Sequence, residues 1–238
     1  MDQGSGTGFI VVTGAAKGVG RSIALSLVND HGCSVLAVSR DAEALQRLRN
    51  DASGNGNLEV LPCDLSMPDA PDQVAKVVAD RRVHGLVNNA GLLLKRAFGS
   101  WSAEDLQRLY SVNVVAAVRL VQALAPALTG EPKGHVVNIS SMGGFQGSAK
   151  FPGLLGYSAS KAALANATEC LAEELKGVGI HCNCLCLGAV DTAMLREAFP
   201  GYVAPVSAEH MGAFIARFVL EGHNLFNGKV LPVSMSTP

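Results

Sequence analysis

Apolar runs of strand length alternate with longer stretches of helical period along the whole chain, and this alternation constrains the fold more than any other feature. The short runs fall at residues 8–13, 34–39, 58–62, 85–88, 135–140, 181–187 and 229–233. Between them, apolar residues recur at helical spacing over residues 19–30, 42–50, 68–82, 103–128, 157–178 and 208–221. The first three runs and the fifth are nearly continuous Val, Ile and Leu, as in strands whose two faces are both covered by helices. The alternation predicts an α/β fold: a Rossmann-type, doubly wound parallel sheet of about seven strands with helices on both faces. At roughly 150 residues per domain a single domain accommodates the length, and no repeat, low-complexity segment or linker divides residues 1–238.

Composition narrows the function. Apolar residues make up 48% of the chain and charged residues only 16%, against a typical ~25% charged. That excludes an intrinsically disordered chain and predicts that subunit contacts, a ligand, or both cover much of the surface. With a net charge of −1 and scattered Lys and Arg, nothing calls for nucleic acid. The longest apolar stretches are interrupted by Gly, Asn or Arg short of the ~20 residues a bilayer requires, so no membrane span is expected. Residues 1–9 are polar and Gly-rich, without the order of a signal peptide, and a cytoplasmic location is expected. Cys182, Cys184 and Cys186 alternate, which on a strand puts three thiols on one face. They lack Cys-x-x-Cys spacing and a second ligand pair, so they are read as small buried residues and no metal site is assigned.

The segment Thr13-Gly14-Ala15-Ala16-Lys17-Gly18-Val19-Gly20 follows a buried strand and opens an amphipathic helix. Glycines there allow a sharp turn, close approach of a pyrophosphate and tight packing of helix on strand. The helix N-terminus then offers free N–H groups and a positive dipole end to phosphates, so Gly14, Ala16, Lys17, Gly18, Val19 and Gly20 are expected to bind a dinucleotide. The second strand ends in Ser39-Arg40, where an acidic residue would grip an NAD ribose. A hydroxyl and a planar guanidinium suit a 2′-phosphate instead. With Lys17, just before the second glycine, as a further cation within reach of the same phosphate, they favour NADP(H).

Tyr157 and Lys161 are four residues apart at the start of a helical segment, on one helix face. A cation near a phenol favours the phenolate and lowers its pKa. Ser140 and Ser141 close the fifth strand, with Ser141 16 residues before Tyr157. Asn88-Asn89-Ala90-Gly91 ends the fourth strand, and Asn113 falls inside a predicted helix, where Asn is disfavoured. Asp64, after the third strand, either caps the next helix or receives an adenine amino group.

These motifs, in this order, resemble the short-chain dehydrogenase/reductase family over residues 9 to 233. The resemblance implies a catalytic tetrad of Asn113, Ser141, Tyr157 and Lys161. Ser141 is preferred to Ser140 because the family's serine precedes a glycine by three residues, as Ser141 precedes Gly144. It also implies that Asp64 and Leu65 flank the adenine, that Asn89 lies against the adenine ribose with Gly91 also at the cofactor, and that Val190 and Thr192 hold the nicotinamide carboxamide. Tyr157 would be the general acid in reversible reduction of a ketone or aldehyde by NADPH. Lys161 would hold the nicotinamide ribose and lower the tyrosine pKa, and Asn113 would hold a water. A 3-oxoacyl-thioester reductase and a non-catalytic NADPH-binding regulator are the alternatives. The Gly-x-x-Gly-x-x-Gly loop and enlarged C-terminal region of a sugar-nucleotide epimerase are missing.

Two departures stand out. Leu187-Gly188 replaces the family's Pro-Gly, which removes a fixed φ and predicts a more mobile start to the substrate loop. The interval from Ser141 to Tyr157 is a few residues longer than the family pattern. Residues 142–156 and 188 to about 206 fit no regular element, and both follow strands, at the sheet edge where such folds bind ligands. Phe145, Phe151, Leu154, Leu155, Met194, Phe199 and Tyr202 lie in them, suggesting a partly apolar pocket. The helices around residues 103–128 and 157–178 carry Ala, Val and Leu faces expected to pair in a homotetramer or dimer.

Overall fold

The computed structural model describes residues 8–235; the polar segment 1–7 lies outside them. In chain order the strands are β1 (Phe9–Thr13), β2 (Ser34–Ser39), β3 (Asn57–Pro62), β4 (Gly85–Asn88), β5 (Gly134–Ser141), β6 (Ile180–Leu187), β7 (Val190–Asp191), β8 (Val206–Ser207) and β9 (Val230–Val233). The helices are α1 (Gly18–Asn29), α2 (Ala42–Asp51), α3 (Ala70–Val78), α4 (Ala103–Tyr110), α5 (Ala116–Leu128), α6 (Leu155–Leu175), α7 (Ala193–Ala198) and α8 (Ala208–Glu221). Seven strands form one parallel sheet in the order β3-β2-β1-β4-β5-β6-β9. Pro232, which lacks an N–H, sits on the edge strand β9, where a missing ladder donor is tolerated.

Side-chain alternation divides the core into two layers. Ile10 and Val12 of β1, with Val35 and Ala37 of β2, pack under α1, α2 and α8. Their sequence neighbours Phe9, Val11, Leu36 and Val38 pack under α3, α5 and α6. Both faces are therefore apolar, and this is why the strands read as continuous apolar runs. Strand β1 pairs with β2 on one side and β4 on the other, so the winding direction reverses between β1 and β4. Their carboxyl ends open a crevice at that point.

Several predicted boundaries change. The helix expected over residues 103–128 is divided by a π segment, Ser111–Val115, with Asn113 at its centre. The stretch Ala103–Leu128 has the length and apolar composition to cross a bilayer, contrary to the expectation from sequence. Its Leu120, Val121, Leu124 and Leu128 are instead buried against α3 and the sheet. Helix α3 starts later than expected because residues 64–70 turn on themselves, Met67 N–H donating to the Asp64 carbonyl and Ala70 N–H to that of Met67. It stops at Val78 because Ala79 adopts φ +49°, which a helix cannot continue. Asp64 therefore caps no helix. The stretch from residue 188 to 206 is more regular than expected: β7 and β8 pair in parallel and α7 lies between them. Cys182, Cys184 and Cys186 are fully buried in β6 as free thiols.

Candidate active site

A cavity of about 780 Å³ lies along the crevice at the carboxyl ends of the strands. Its phosphate end is the loop between β1 and α1. Gly14 (φ +65°) and Gly18 (φ +56°) adopt left-handed backbone, which side chains disfavour. A Cβ on Gly14 would stand 2.8 Å from the Ala90 Cα, and one on Gly20 would collide with the Gly14 carbonyl and the Asn89 amide. Helix α1 begins with no side-chain cap on its N-cap residue Lys17 and no acid in its first turn. The glycines let the loop pack tightly against the end of β4, and the uncapped helix N-terminus opens on the cavity, a fit for the phosphates of a dinucleotide. The loop is knotted to β4 through Thr13 Oγ1, which accepts from Asn89 N–H and Ala90 N–H at 3.0 Å each. The Asn89 amide donates back to the Thr13 carbonyl at 3.0 Å. Asn89 lines the cavity, but its donors hold the loop; nothing in its local sequence signals the partnership with Thr13.

Gly14, Lys17, Gly18, Val19, Gly20, Ser39, Arg40, Asp64, Leu65, Asn89, Gly91, Val190 and Thr192 all line the cavity. Ala16 does not; it is buried in the core below the loop. Arg40 is 71% exposed at its side chain and 4.0 Å from Asp64, leaving its guanidinium available at the end of β2. The Asp64 carboxylate accepts from Ser66 N–H at 3.0 Å and Ser66 Oγ at 2.8 Å. Burial pushes the Asp64 pKa up, but those two bonds and the Arg40 charge outweigh it and hold the carboxyl below its ordinary value. Thr192 Oγ1 accepts from Leu195 N–H to cap α7, with its methyl facing Gly18. Val190 is buried and pairs with Val206. In place of the family's proline, Leu187 continues β6, and Gly188 N–H donates to the Val233 carbonyl at 2.9 Å.

At the other end, β5 and α6 bring Ser141, Tyr157 and Lys161 together on the cavity wall. The adjacent serines divide their tasks. Ser140 is buried, and its hydroxyl donates to the Lys161 carbonyl at 2.8 Å. Ser141 accepts from Gly143 N–H at 3.1 Å, and it lines the cavity together with Tyr157, whose phenol its hydroxyl influences. Gly144 makes this approach possible, since a Cβ there would stand 2.6 Å from the Ala162 nitrogen. The spacing Ser141 to Gly144 is thus a packing requirement of the strand end against α6.

Burial raises the Tyr157 phenol above its ordinary value, opposed by the neighbouring Ser141 hydroxyl. This corrects the expectation that Lys161 lowers it. The Lys161 ammonium donates instead to the Ile139 carbonyl at 2.7 Å. Burial depresses its pKa from 10.5 to about 8, against the opposing influence of Cys184 and Cys186. Asn113 is 1% exposed and does not line the cavity. Its Oδ1 accepts from Leu92 N–H at 2.7 Å, and its Nδ2 donates to the Leu92 carbonyl at 3.0 Å and to Ser160 Oγ at 2.9 Å. Both donors are spent on protein, so the side chain pins the segment after β4 to α6 rather than offering an N–H to water.

The family profile described as short chain dehydrogenase matches residues 8–202. An uncharacterized oxidoreductase of Staphylococcus aureus is 32% identical over 193 residues, 80% of this chain and 81% of that protein. The ketoacyl reductase HetN of Nostoc sp. is 29% identical over 208 residues, 83% and 71% of the respective chains. The structure of the Pseudomonas aeruginosa RhlG/NADP active-site complex superposes with a TM-score of 0.84 at 28% identity, covering 95% of this chain and 94% of that one. The family profile spans most of the chain, and the chain belongs to the short-chain dehydrogenase/reductase family of oxidoreductases.

Proposed function

We propose that this chain is an NADP(H)-dependent carbonyl reductase, reversible as an alcohol dehydrogenase, with residues 1–238 forming a single catalytic domain. The observation that carries the reading is one cavity lined by Ser141, Tyr157 and Lys161 at one end and by Arg40, with no acidic residue closing β2, at the other. When bound, the dinucleotide supplies the hydride that adds to the carbonyl carbon. Ser141 donates a hydrogen bond to the carbonyl oxygen and steadies the charge that develops there. Tyr157 gives that oxygen its proton, so the C=O π bond is replaced by one C–H and one O–H bond. A phenol kept protonated by burial suits this donation. Lys161 holds the nicotinamide ribose hydroxyls, while Asn113 acts as a positioning residue through the Leu92 segment. Lys17, Ser39 and Arg40 hold the 2′-phosphate; Asp64 and Leu65 flank the adenine, and Val190 and Thr192 border the nicotinamide.

The protein acts on small molecules as a cytoplasmic homo-oligomer, a tetramer or dimer built on α5 and α6. The likeness to HetN supports a second reading, reduction of a 3-oxoacyl thioester. The deciding assay follows NADPH consumption over a panel of ketones, aldehydes and 3-oxoacyl thioesters with the native chain and Tyr157→Phe. General acid–base assistance is worth roughly 10²–10⁴-fold, so turnover should drop by that factor while NADPH affinity stays the same. Near-full turnover by Tyr157→Phe would refute the mechanism.

A further inference from the structure

We infer that the substrate is an uncharged, apolar ketone or aldehyde whose carbonyl is its one strongly polar group; the inference rests on the reductase reading above. Beyond Ser141 and Tyr157 the loops after β4, β5 and β6 line the cavity with Leu93, Met142, Phe151, Leu154, Met194 and Phe199, while Gln107 and Ser111 are the uncharged polar side chains on the α4 side. Lys17, Arg40 and Asp64 stand at the phosphate end, and Glu104 and Arg108 are exposed on α4. The Lys161 ammonium is turned to the Ile139 carbonyl. The loops that carry the apolar wall hold two more lysines, and both are spent on backbone. Lys150 donates to the Phe145 carbonyl and Lys95 to the Ala198 carbonyl, each at 2.8 Å. Of the other hydroxyls on the cavity, Ser140 is engaged with the Lys161 carbonyl, Thr192 with the Leu195 amide and Ser66 with Asp64; Ser39 stands at the phosphate end and Ser111 follows α4.

This wall is tied from outside. The Lys95 ammonium, on the loop after β4, grips the last residue of α7 and stands 5.4 Å from the Phe199 ring centre. Phe199 meets Phe151 edge-on at 5.1 Å. Arg96 N–H donates to the Gly153 carbonyl at 3.0 Å, and its guanidinium pairs with Asp105 at 2.9 Å. The three loops after β4, β5 and β6 thus hold one another in place, so the apolar surface is formed before a substrate arrives. Met142 and Met194 leave it adaptable in shape. A carboxylate or a row of hydroxyls entering here gives up water for phenyl, thioether and isobutyl groups. Each unpaired hydroxyl is disfavoured roughly five- to 150-fold, whereas each added methylene is favoured about fourfold.

The test compares methyl ketones of increasing alkyl length with a 2-keto acid and a ketose of matched length, by kcat/KM with NADPH and by calorimetric binding in the presence of NADP⁺. Ketone efficiency should climb about fourfold per methylene until the wall is filled, with the keto acid and ketose at least roughly tenfold below their matched ketone. Met194→Lys, at a position 38% exposed, should move the keto acid-to-ketone ratio at least roughly tenfold toward the acid, since a charge-assisted bond is worth that much. A keto acid or ketose handled as well as the matched ketone, or no dependence on chain length, would overturn the inference. If NADPH binds but no carbonyl is reduced, the reductase reading fails instead. The calorimetric series then decides the pocket alone: binding that strengthens with chain length supports it, and binding of the polar compounds alone overturns it.

Discussion

Replacing Lys161 with Met should stabilise the protein while abolishing turnover. The native side chain is 4% exposed, and burial brings its pKa from 10.5 to about 8. At about 1.4 kcal/mol per pH unit, keeping this ammonium charged inside the fold costs roughly 3 kcal/mol. The unfolded chain keeps the lysine protonated up to about 10.5, whereas the folded chain releases the proton near 8. Below about 8 the whole cost is present; between 8 and 10.5 the folded state binds fewer protons, so stability rises with pH; above 10.5 the cost is gone. Met retains the apolar stem and removes the charge, but loses the bond to the Ile139 carbonyl, worth about 1 kcal/mol. At pH 7 the variant should therefore be about 2 kcal/mol more stable, and by pH 10.5 about 1 kcal/mol less stable, than the native chain. Urea unfolding from pH 7 to 10.5, at one protein concentration and without dinucleotide, measures the difference, because ligand and association both shift apparent stability. A variant less stable at pH 7, or a difference independent of pH, would refute the reasoning. The expected pattern is that of a group held against its own stability for what it does at the site.

Exchanging Ser39 for Asp and Arg40 for Leu should reverse a preference for NADPH over NADH. The native preference should be at least tenfold, since one charge-assisted phosphate contact contributes roughly 1.5–3 kcal/mol; equal dissociation constants in the native chain would sink the assignment. Low charge content, 16%, and exposed Val115, Leu155 and Val178 on or beside the long helices should yield an oligomer in which symmetric contacts cover them. Sedimentation showing a stable monomer at micromolar concentration would count against it.

Much of the architecture was legible because its signals are local and repeated. The apolar runs 34–39 and 85–88 coincide with the bounds of β2 and β4, since a parallel strand covered on both faces must be apolar throughout. The π segment at Asn113 was hidden because the flanking residues 103–110 and 116–128 keep helical period on either side of it. Helix α7, with six residues, and the two-residue strands β7 and β8 are too short for any period to register. The end of α3 turns on one positive φ at Ala79, which alanine does not announce.

The sequence by itself determined the alternating α/β order, the glycine cradle before α1 and the Tyr157–Lys161 spacing, because each is carried by residues within a few positions of one another. Tertiary structure alone decided which atoms the site leaves free. Ser140 and Ser141 are neighbours told apart in the chain only by their spacing to Gly144, yet one is spent on the Lys161 carbonyl and the other lines the cavity beside Tyr157. Asn113 holds Leu92 from 21 residues away, and Lys95 holds Ala198 from 103. A buried polar atom binds whatever partner the packing sets within about 3 Å of it. That partner comes from another element of the fold, so its identity is written in the assembled structure rather than in any local run of residues.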